Sequence, residues 1–529
     1  MPNSPAQSSS IVYGLDDRPP IGRATVLGAQ HVLTMFGSTV AVPLIFGPKL
    51  WPVPEGISAE LQASLTEQQL TNTALLISSV MLCSGVATFL QASFGSRLPI
   101  IQGVSFSFLA AFFGIVAATQ TTAAPDWSAV VAGDVSDATL EPLRAQWQDA
   151  GAKGMRVIAG AVILGGILEA IIGFTGLMGL VRRYLSPVVI GPVIMLIGLA
   201  LYQFGAPVAA GNWYVSGLTM VLIVLFALIL SRKIWLFRLF PMLSAIVIVV
   251  TLCRFLSAQG VLAPGNAAFV DLSGFDRAEW FRTSSLFFPW GFPEFATSAL
   301  VAVLAGYLAS MIESFGDYHA CKNIAGAGDP TEKEISRGIG FEGVGCALTG
   351  VFGGFSSTSY SENIGLVGLT KVGSRYVVQI GAVILALFGL FGKFGALASA
   401  IPQPVVGGLY CTLFGLIAAV GVRQFAKADL NSDRNLFVGG FALFMGLSVP
   451  FYFGDFSTGK ADVAWIESDG LRNVIIAVCS TGMAVAAILG LLLDNLVPGT
   501  RAERGLAEPP GILVPEAGDV GVDLEEFSK

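Results

Sequence analysis

Glu313 and Asp317 stand four residues apart in the stretch MIESFGDYHACKN, inside an otherwise apolar run. On a helix that spacing puts both carboxylates on one face. A charge at the centre of a bilayer costs about 2.5–3.5 kcal/mol on insertion scales, so such groups face a cavity, carry a proton or bind an ion. For Asp317, and for His319 beside it, a solvated place at the helix end is the competing reading. Three more carboxylates lie in apolar surroundings: Glu342 in GFEGVGCALTG, Glu169 in GGILEAIIGF and Glu362 in SYSENIGLVGLTKVGSR. A coupling or gating role is expected of Glu342 and a structural one of Glu169. Glu362 and Asn363 sit at the mouth of a glycine-broken segment too short to cross a bilayer. His31, in GAQHVLTMFGSTVAVPL, could relay a proton or hydrogen-bond a carboxylate, with a packing histidine as the alternative.

The elements that must position these groups are membrane spans. The chain has 529 residues, 54% of them hydrophobic and 12% charged, with mean hydropathy +0.73. A soluble domain carries about 25% charged residues, so a water-facing surface of ordinary chemistry is excluded. About fourteen segments approach the roughly 20 apolar residues that span a hydrocarbon core. They lie near 26–46, 71–95, 99–119, 155–181, 186–204, 213–231, 237–257, 294–316, 336–354, 357–372, 376–399, 403–421, 435–454 and 473–494. With the N-terminus inside, Arg97, Arg182 and Arg183, Arg232, Lys233 and Arg238, Lys371 and Arg375, and Arg423 all fall on inside loops, the asymmetry expected of cytoplasmic loops. Both termini are therefore expected in the cytoplasm of a multi-pass cell-membrane protein.

An internal repeat orders the spans. SPVVIGPVIMLIGL (186–199) aligns without gaps on QPVVGGLYCTLFGL (403–416), and GAVIL occurs at both 160–164 and 381–385. The copies are displaced by seven spans, an odd number, so the second must be upside down: an inverted repeat of seven plus seven, a transporter architecture. The expected fold is thus an all-α membrane protein of fourteen segments. It divides into a disordered tail (1–22), a first repeat (23–257), an outside loop (258–293), a second repeat (294–495) and a disordered tail (496–529). The third segment, with IQGVSFSFLAA (101–111), and the tenth, with SENIGLVGLT, are both short and broken at matching positions. Such pairs point to a substrate site near the midplane. Phe106 is the aromatic there that could stack on a flat ligand.

Several classes are excluded. No GxGxxG or Walker sequence supports nucleotide-driven transport, and no Ser/His/Asp or HExxH arrangement suggests an enzyme. The six cysteines lack metal or disulfide spacing, so no cofactor is expected. A net charge of −7 implies no nucleic-acid partner.

The segments QH in the first span, QGVSFSF, ESFGDYHA and SENIGLVGLTKVGSR together resemble the signatures of the nucleobase/ascorbate transporter family, over about residues 24–495. The last matches the family pattern through Glu362, Asn363, Gly365 and Thr370. The resemblance implies a core domain of segments 1–4 and 8–11, a gate domain of segments 5–7 and 12–14, and a homodimer with elevator-like movement. It also implies that Glu313 and Glu362 bind the substrate's polar edge and that Phe106 packs on its ring. The backbone around Ser105 and Ser361, with Asn363, would supply further hydrogen bonds. Glu313, Asp317, His31 and Glu342 are the coupling candidates.

Ascorbate carriers of the family have Pro where this chain has Glu362, so uracil or xanthine-like purines, with proton symport, are the expectation. A sodium-coupled ascorbate or broad nucleobase carrier is the alternative. A sulfate-carrier-like anion exchanger or channel of the same fold is the alternative from another class; two carboxylates at the site argue against an anionic ligand.

Overall fold

The computed structural model describes residues 11–131, 137–179, 184–282, 284–454 and 468–506. Arg182 and Arg183, the residues before Ile11 and those after Leu506 lie outside this set. Every apolar stretch contains a helix: α1 (Ile21–Leu50), α2 (Ala59–Ser93), α3 (Leu109–Ala123), α4 (Asp137–Thr175), α5 (Pro187–Leu199), α6 (Trp213–Val224), α7 (Pro241–Ala258), α8 (Thr297–Ile324), α9 (Glu332–Val351), α10 (Ser361–Thr370), α11 (Arg375–Leu390), α12 (Gln403–Phe425), α13 (Asp433–Gly454) and α14 (Gly482–Leu496). Shorter helices occupy some connections. Among the described residues, ten helical segments are long and apolar enough to cross a membrane. α11 and α14 are shorter apolar helices. α9 is more polar, with Glu332, Lys333, Glu334 and Arg337 in its first turns and Glu342 further along. It packs between α4 and α2, so much of its surface meets protein instead of lipid.

Burial sorts the helices. α1 and α2 lie mostly inside the protein, whereas α6, α7 and α13 leave most of their apolar surface uncovered. Phe255 on α7 and Phe444 and Phe451 on α13 are exposed. Exposed apolar surface of that extent is a lipid-facing or interface surface, and the protein is a multi-pass membrane protein.

Glycines set the closest helix contacts. A Cβ on Gly343 of α9 would stand 2.3 Å from the backbone nitrogen of Ala170 on α4. One on Gly389 of α11 would stand 2.4 Å from that of Leu82 on α2. Small residues let backbones approach where lipid gives no hydrophobic drive. The pairs α4–α9 and α2–α11 are thereby packed in the same manner, and α5, carrying the first copy of the repeat, packs along α12, carrying the second.

Two three-residue strands interrupt the helices: β1 (Gln102–Val104) and β2 (Ser357–Ser359), paired antiparallel with Gln102 opposite Ser359 and Val104 opposite Ser357. The pairing continues through Ser105 N to Ser356 O (3.0 Å) and Tyr360 N to Ile101 O (3.0 Å). Non-helical backbone at membrane depth persists only where protein or a water-filled cavity satisfies it. Here each strand completes the other, and Thr88 of α2 accepts from Gln102 N at 2.8 Å. The breaks therefore lie before the third and tenth helices and not within them. The tenth helix is ten residues long, but the third is not short: with its opening 3₁₀ turn it runs Phe106–Ala123, 18 residues. Its serines are absorbed by that turn, where Ser105 Oγ accepts from Ser107 N at 3.3 Å.

The tails differ from expectation wherever they are described. From Ile11 the N-terminal segment lies against the α10–α11 connection. Val12 N donates to Lys371 O (2.8 Å), Gly373 N to Tyr13 O (2.8 Å) and Arg375 N to Leu15 O (3.1 Å). Helix α1 then starts at Ile21, inside the stretch expected as tail. At the other end Arg504 pairs with the buried Asp494 at 2.7 Å, and Glu503 accepts from Thr500 N at 3.2 Å. Backbone pairing and ion pairs hold segments whose composition alone gives no core.

Candidate functional site

The helices that follow β1 and β2 both start at the strand pair, so two helix N-termini and their unsatisfied N–H groups converge there. Such ends carry partial positive charge. Glu362 lies in the first turn of α10 and is left uncovered by the described protein, as is Ser361. Ser38 on α1 donates to Glu362 Oε1 at 3.5 Å. Glu313 of α8 is half-buried and stands one turn before Asp317 on the same helix.

Asp317 is buried and not at a solvated helix end. Its two oxygens accept from Ser359 Oγ (2.9 Å) and Ser361 Oγ (2.8 Å), one serine on β2 and the other opening α10. This carboxylate ties α8 to the start of the tenth helix. His319, half-buried and still within α8, has its Nδ1 2.9 Å from Phe315 O.

Glu342 is buried within a cluster of hydroxyls. Its Oε1 accepts from Ser310 (3.0 Å), Ser314 (2.7 Å) and Thr358 (3.2 Å), and its Oε2 from Tyr318 (2.8 Å). Gln91 of α2 in turn donates to the Tyr318 hydroxyl. Ser310, Ser314 and Tyr318 repeat at i, i+4 and i+8 along α8, one polar stripe beside the Glu313/Asp317 stripe. That spacing was a usable signal that sequence reasoning passed over. Glu169, on α4, is buried, and neither of its oxygens has a hydrogen-bond partner among the described residues.

His31 does not contact a carboxylate through any hydrogen bond among the described residues. Asn363 Nδ2 lies 3.1 Å from His31 Nδ1 and donates to His31 O at 2.9 Å. The histidine thus fixes the residue next to Glu362. Tyr360, preceding α10, donates to Val104 O at 2.9 Å and stitches the two breaks together.

Phe106, at the start of the 3₁₀ turn, is half-buried and meets Phe414 edge-on with ring centroids 6.3 Å apart. Phe414 stacks on Tyr410 at 5.3 Å, and Tyr410 donates to Ala41 O at 2.8 Å. Both rings belong to the second copy of the repeat, QPVVGGLYCTLFGL, at i, i+4; sequence reasoning used that motif for topology and passed over its aromatic face. The site therefore offers carboxylate acceptors, helix-terminal N–H donors and an aromatic wall. That combination suits a flat, uncharged ring with N–H and C=O groups along one edge.

Comparison with known proteins gives the family. The Xan_ur_permease model, described as Permease family, matches residues 22–454. The chain is 35% identical to solute carrier family 23 member 2 of Homo sapiens, over 94% of this chain and 76% of that protein. It is 36% identical to solute carrier family 23 member 1 of Rattus norvegicus, over 94% and 82%. With nucleobase-ascorbate transporter 2 of Arabidopsis thaliana it shares 33% identity, over 94% and 91%. Among solved structures, the transmembrane domain of the cyanobacterial bicarbonate transporter BicA has a TM-score of 0.49 at 13% identity, covering 91% of this chain and 99% of that one. The overall structure of SLC26A9 gives the same score and identity, over 89% and 65%. The chain belongs to the nucleobase/ascorbate permease family.

Proposed function

We propose that the protein imports nucleobases, uracil or xanthine-like purines, in symport with protons, as a homodimer with both termini in the cytoplasm. The observation that carries this reading is Glu362. It is a carboxylate left uncovered by the described protein, in the first turn of a ten-residue helix that starts at the β1–β2 pair, where a second helix also begins. A ring N–H would donate to Glu362 and Glu313, a ring carbonyl would accept from the helix-end N–H groups near Ser105 and Ser361, and Phe106 would cover the face. Ascorbate, acidic and hydroxyl-rich, would set its charge against two carboxylates.

The matched packing of α4–α9 and α2–α11 and the antiparallel β1–β2 pair support seven-plus-seven inverted symmetry. In this reading α1–α4 and α8–α11 form the core that carries substrate, and α5–α7 with α12–α14 form the gate against which it moves. Asp317 and Glu342 are the coupling candidates, because each already links α8 to the tenth-helix region. A proton arriving on either would weaken bonds from Ser359, Ser361 or Thr358. His31 acts by holding Asn363.

Competition uptake with uracil, xanthine, urate, adenine, guanine and ascorbate tests the substrate class, alongside Glu313→Gln and Glu362→Gln. Each substitution keeps shape but removes the charge and turns one of the two acceptor oxygens into an N–H donor, so nucleobase uptake is expected to fall at least tenfold. Uptake of ascorbate alone would overturn the reading, as would normal uptake by both variants. Uptake that collapses without sodium and ignores a protonophore would overturn proton coupling alone.

A further inference from the structure

A cleft of about 400 Å³ lies away from the substrate site, lined by Asp16, Arg18, Arg97, Arg375, Tyr376 and Gln379. Three separate pieces of chain build it: the N-terminal segment, the turn between α2 and β1, and the start of α11. Its guanidinium groups are unevenly satisfied. Arg375 is committed to Asp16, with Nη2 at 2.7 Å and Nε at 2.8 Å from the same oxygen. Arg18 lies 5.8 Å from the centre of the Tyr376 ring and has no ion pair among the described residues. Arg97 is exposed, and its guanidinium likewise has no hydrogen bond or ion pair among the described residues. Three arginines against one carboxylate leave two positive charges in the cleft.

The backbone at Arg97 is a second, independent observation. Its φ is +59°, the left-handed region that a residue with a Cβ seldom occupies. Strain of this kind persists where the surroundings impose it and gathers at ligand sites and switches. The turn is held by Arg97 N donating to Gln91 O at 3.1 Å, on the same Gln91 that donates to Tyr318. The arginine is thus presented at the cleft on the end of α2.

We propose that this cleft binds a phosphate-bearing anion, either a lipid headgroup or free phosphate. Guanidinium forks match phosphate oxygens in pairs, and basic pockets between membrane helices take anionic headgroups. Arg18 and Arg97 supply the free forks, Arg375 adds positive field, and Tyr376 gives the ligand an aromatic edge. A bound anion would join the N-terminal segment to the α10–α11 connection, which already share backbone hydrogen bonds. The segment carrying Glu362 would then be held at its far end, independently of what the substrate site carries.

Full-length protein in neutral detergent at about 0.15 M salt, where diffuse attraction is screened beyond about 8 Å, would be titrated with dioctanoyl phosphatidylglycerol, dioctanoyl phosphatidylcholine or inorganic phosphate. Thermal unfolding and native mass spectrometry would report binding. A saturable rise in midpoint with phosphatidylglycerol alone identifies a headgroup site. An equal rise with inorganic phosphate identifies a free-anion site. In either case R18Q/R97Q should weaken binding at least tenfold, R97K, which keeps the charge and loses the fork, should weaken it less than R97Q, and R423Q on α12 should leave it unchanged. A double variant whose unliganded midpoint is itself lowered would be replaced by R97Q alone, read by mass spectrometry. No response to either anion, equal response to phosphatidylcholine, or equal loss in R423Q would overturn the proposal.

Discussion

Tyr318→Phe removes one oxygen from the buried network around Glu342, and its cost can be worked out from its neighbours. The Tyr318 hydroxyl donates to Glu342 Oε2 at 2.8 Å and accepts from Gln91 Nε2. For an ionised Glu342, a hydrogen bond to a charged group contributes about 1.5–3 kcal/mol. Gln91 then loses its acceptor as well, and its Oε1 is already buried without a partner. A buried amide left unmet adds about 1 kcal/mol. The sum is about 3 kcal/mol, roughly a hundredfold in the unfolding equilibrium. Two other buried tyrosines serve as internal controls. Tyr307 donates to Val162 O and Tyr410 to Ala41 O, each at 2.8 Å. Neutral interhelical hydrogen bonds in membrane proteins average about 0.6 kcal/mol and reach about 1.7, so Tyr307→Phe and Tyr410→Phe should cost about 1 kcal/mol. The assay is reversible unfolding in mixed micelles with increasing dodecyl sulfate, followed by tryptophan fluorescence. In a Glu342→Gln background the Tyr318→Phe cost should fall towards the control value, since contacting residues are coupled. A Tyr318→Phe cost no greater than that of Tyr410→Phe would refute the charge-assisted bond.

Three further outcomes follow from the packing and the termini. Gly343→Val places a branched side chain where even a Cβ would stand 2.3 Å from Ala170 N; forced separation of α4 and α9 should cost about 3 kcal/mol or abolish folded yield in size-exclusion chromatography, and a wild-type profile would contradict the close approach. Asp494→Ala strips the shared partner from Arg434 and Arg504, which it meets at 3.0 and 2.7 Å; removing one side of a buried pair costs about 3–5 kcal/mol, and a loss under about 1 kcal/mol in the same micelle assay would contradict it. Glu503 is held below its ordinary carboxylate value of 4.5 by the Ser432 hydroxyl and then by Thr500 N. Its folded-state value is depressed, so the tether by which it holds the C-terminal segment to Ser432 is fully present above about pH 4.5 and is lost as pH falls through the lower folded value. Protection of the amides of residues 429–435, taken relative to their intrinsic exchange rates at each pH, should therefore fall below that pH in the wild type and be pH-insensitive in Glu503→Gln.

Carboxylates in apolar sequence announce themselves because each is costly there, and this is why Glu313, Asp317, Glu342 and Glu362 were legible. Their division of labour was not. Hydroxyls are cheap in membrane helices, so Ser310, Ser314, Thr358 and Ser359 carry no compositional signal, although they decide which carboxylate is fully bonded and which is open. The pairing of the two breaks was half-legible: matching positions were visible, but not that each would open on a strand completing its counterpart's hydrogen bonds. The third helix was read as short because IQGVSFSF is polar, whereas its polarity belongs to the strand and the turn that precede Leu109. The place of residues 11–15 is hidden for a related reason. Their hold on Lys371–Arg375 is through main-chain hydrogen bonds, which composition does not record.

The distribution of polar contacts bears on how the site would move. Within the proposed core, α1, α2, α8, α9 and the strands are cross-linked by serine, threonine, tyrosine and carboxylate bonds of defined direction. Against the proposed gate, the surfaces are different. One seam is lined by Val189, Val193 and Ile194 of α5 against Ala305, Leu308 and Ile312 of α8. Another sets Val40, Ala41 and Leu44 of α1 against Ile246 of α7 and Val405 and Leu409 of α12. Directional bonds resist displacement, whereas aliphatic contacts can exchange partners at similar area with little net cost. On the proposed division into core and gate, a polar core bounded by aliphatic seams would favour movement of the core as a body over local opening of α10. The Tyr410–Ala41 hydrogen bond is a polar link that crosses the second seam. On this argument Tyr410→Phe should change transport rate more than substrate affinity, because it removes a bond between the moving parts and none within the site. A variant with unaltered rate and weakened substrate binding would place Tyr410 in recognition instead, and the seam would lose its claim to be the sliding surface.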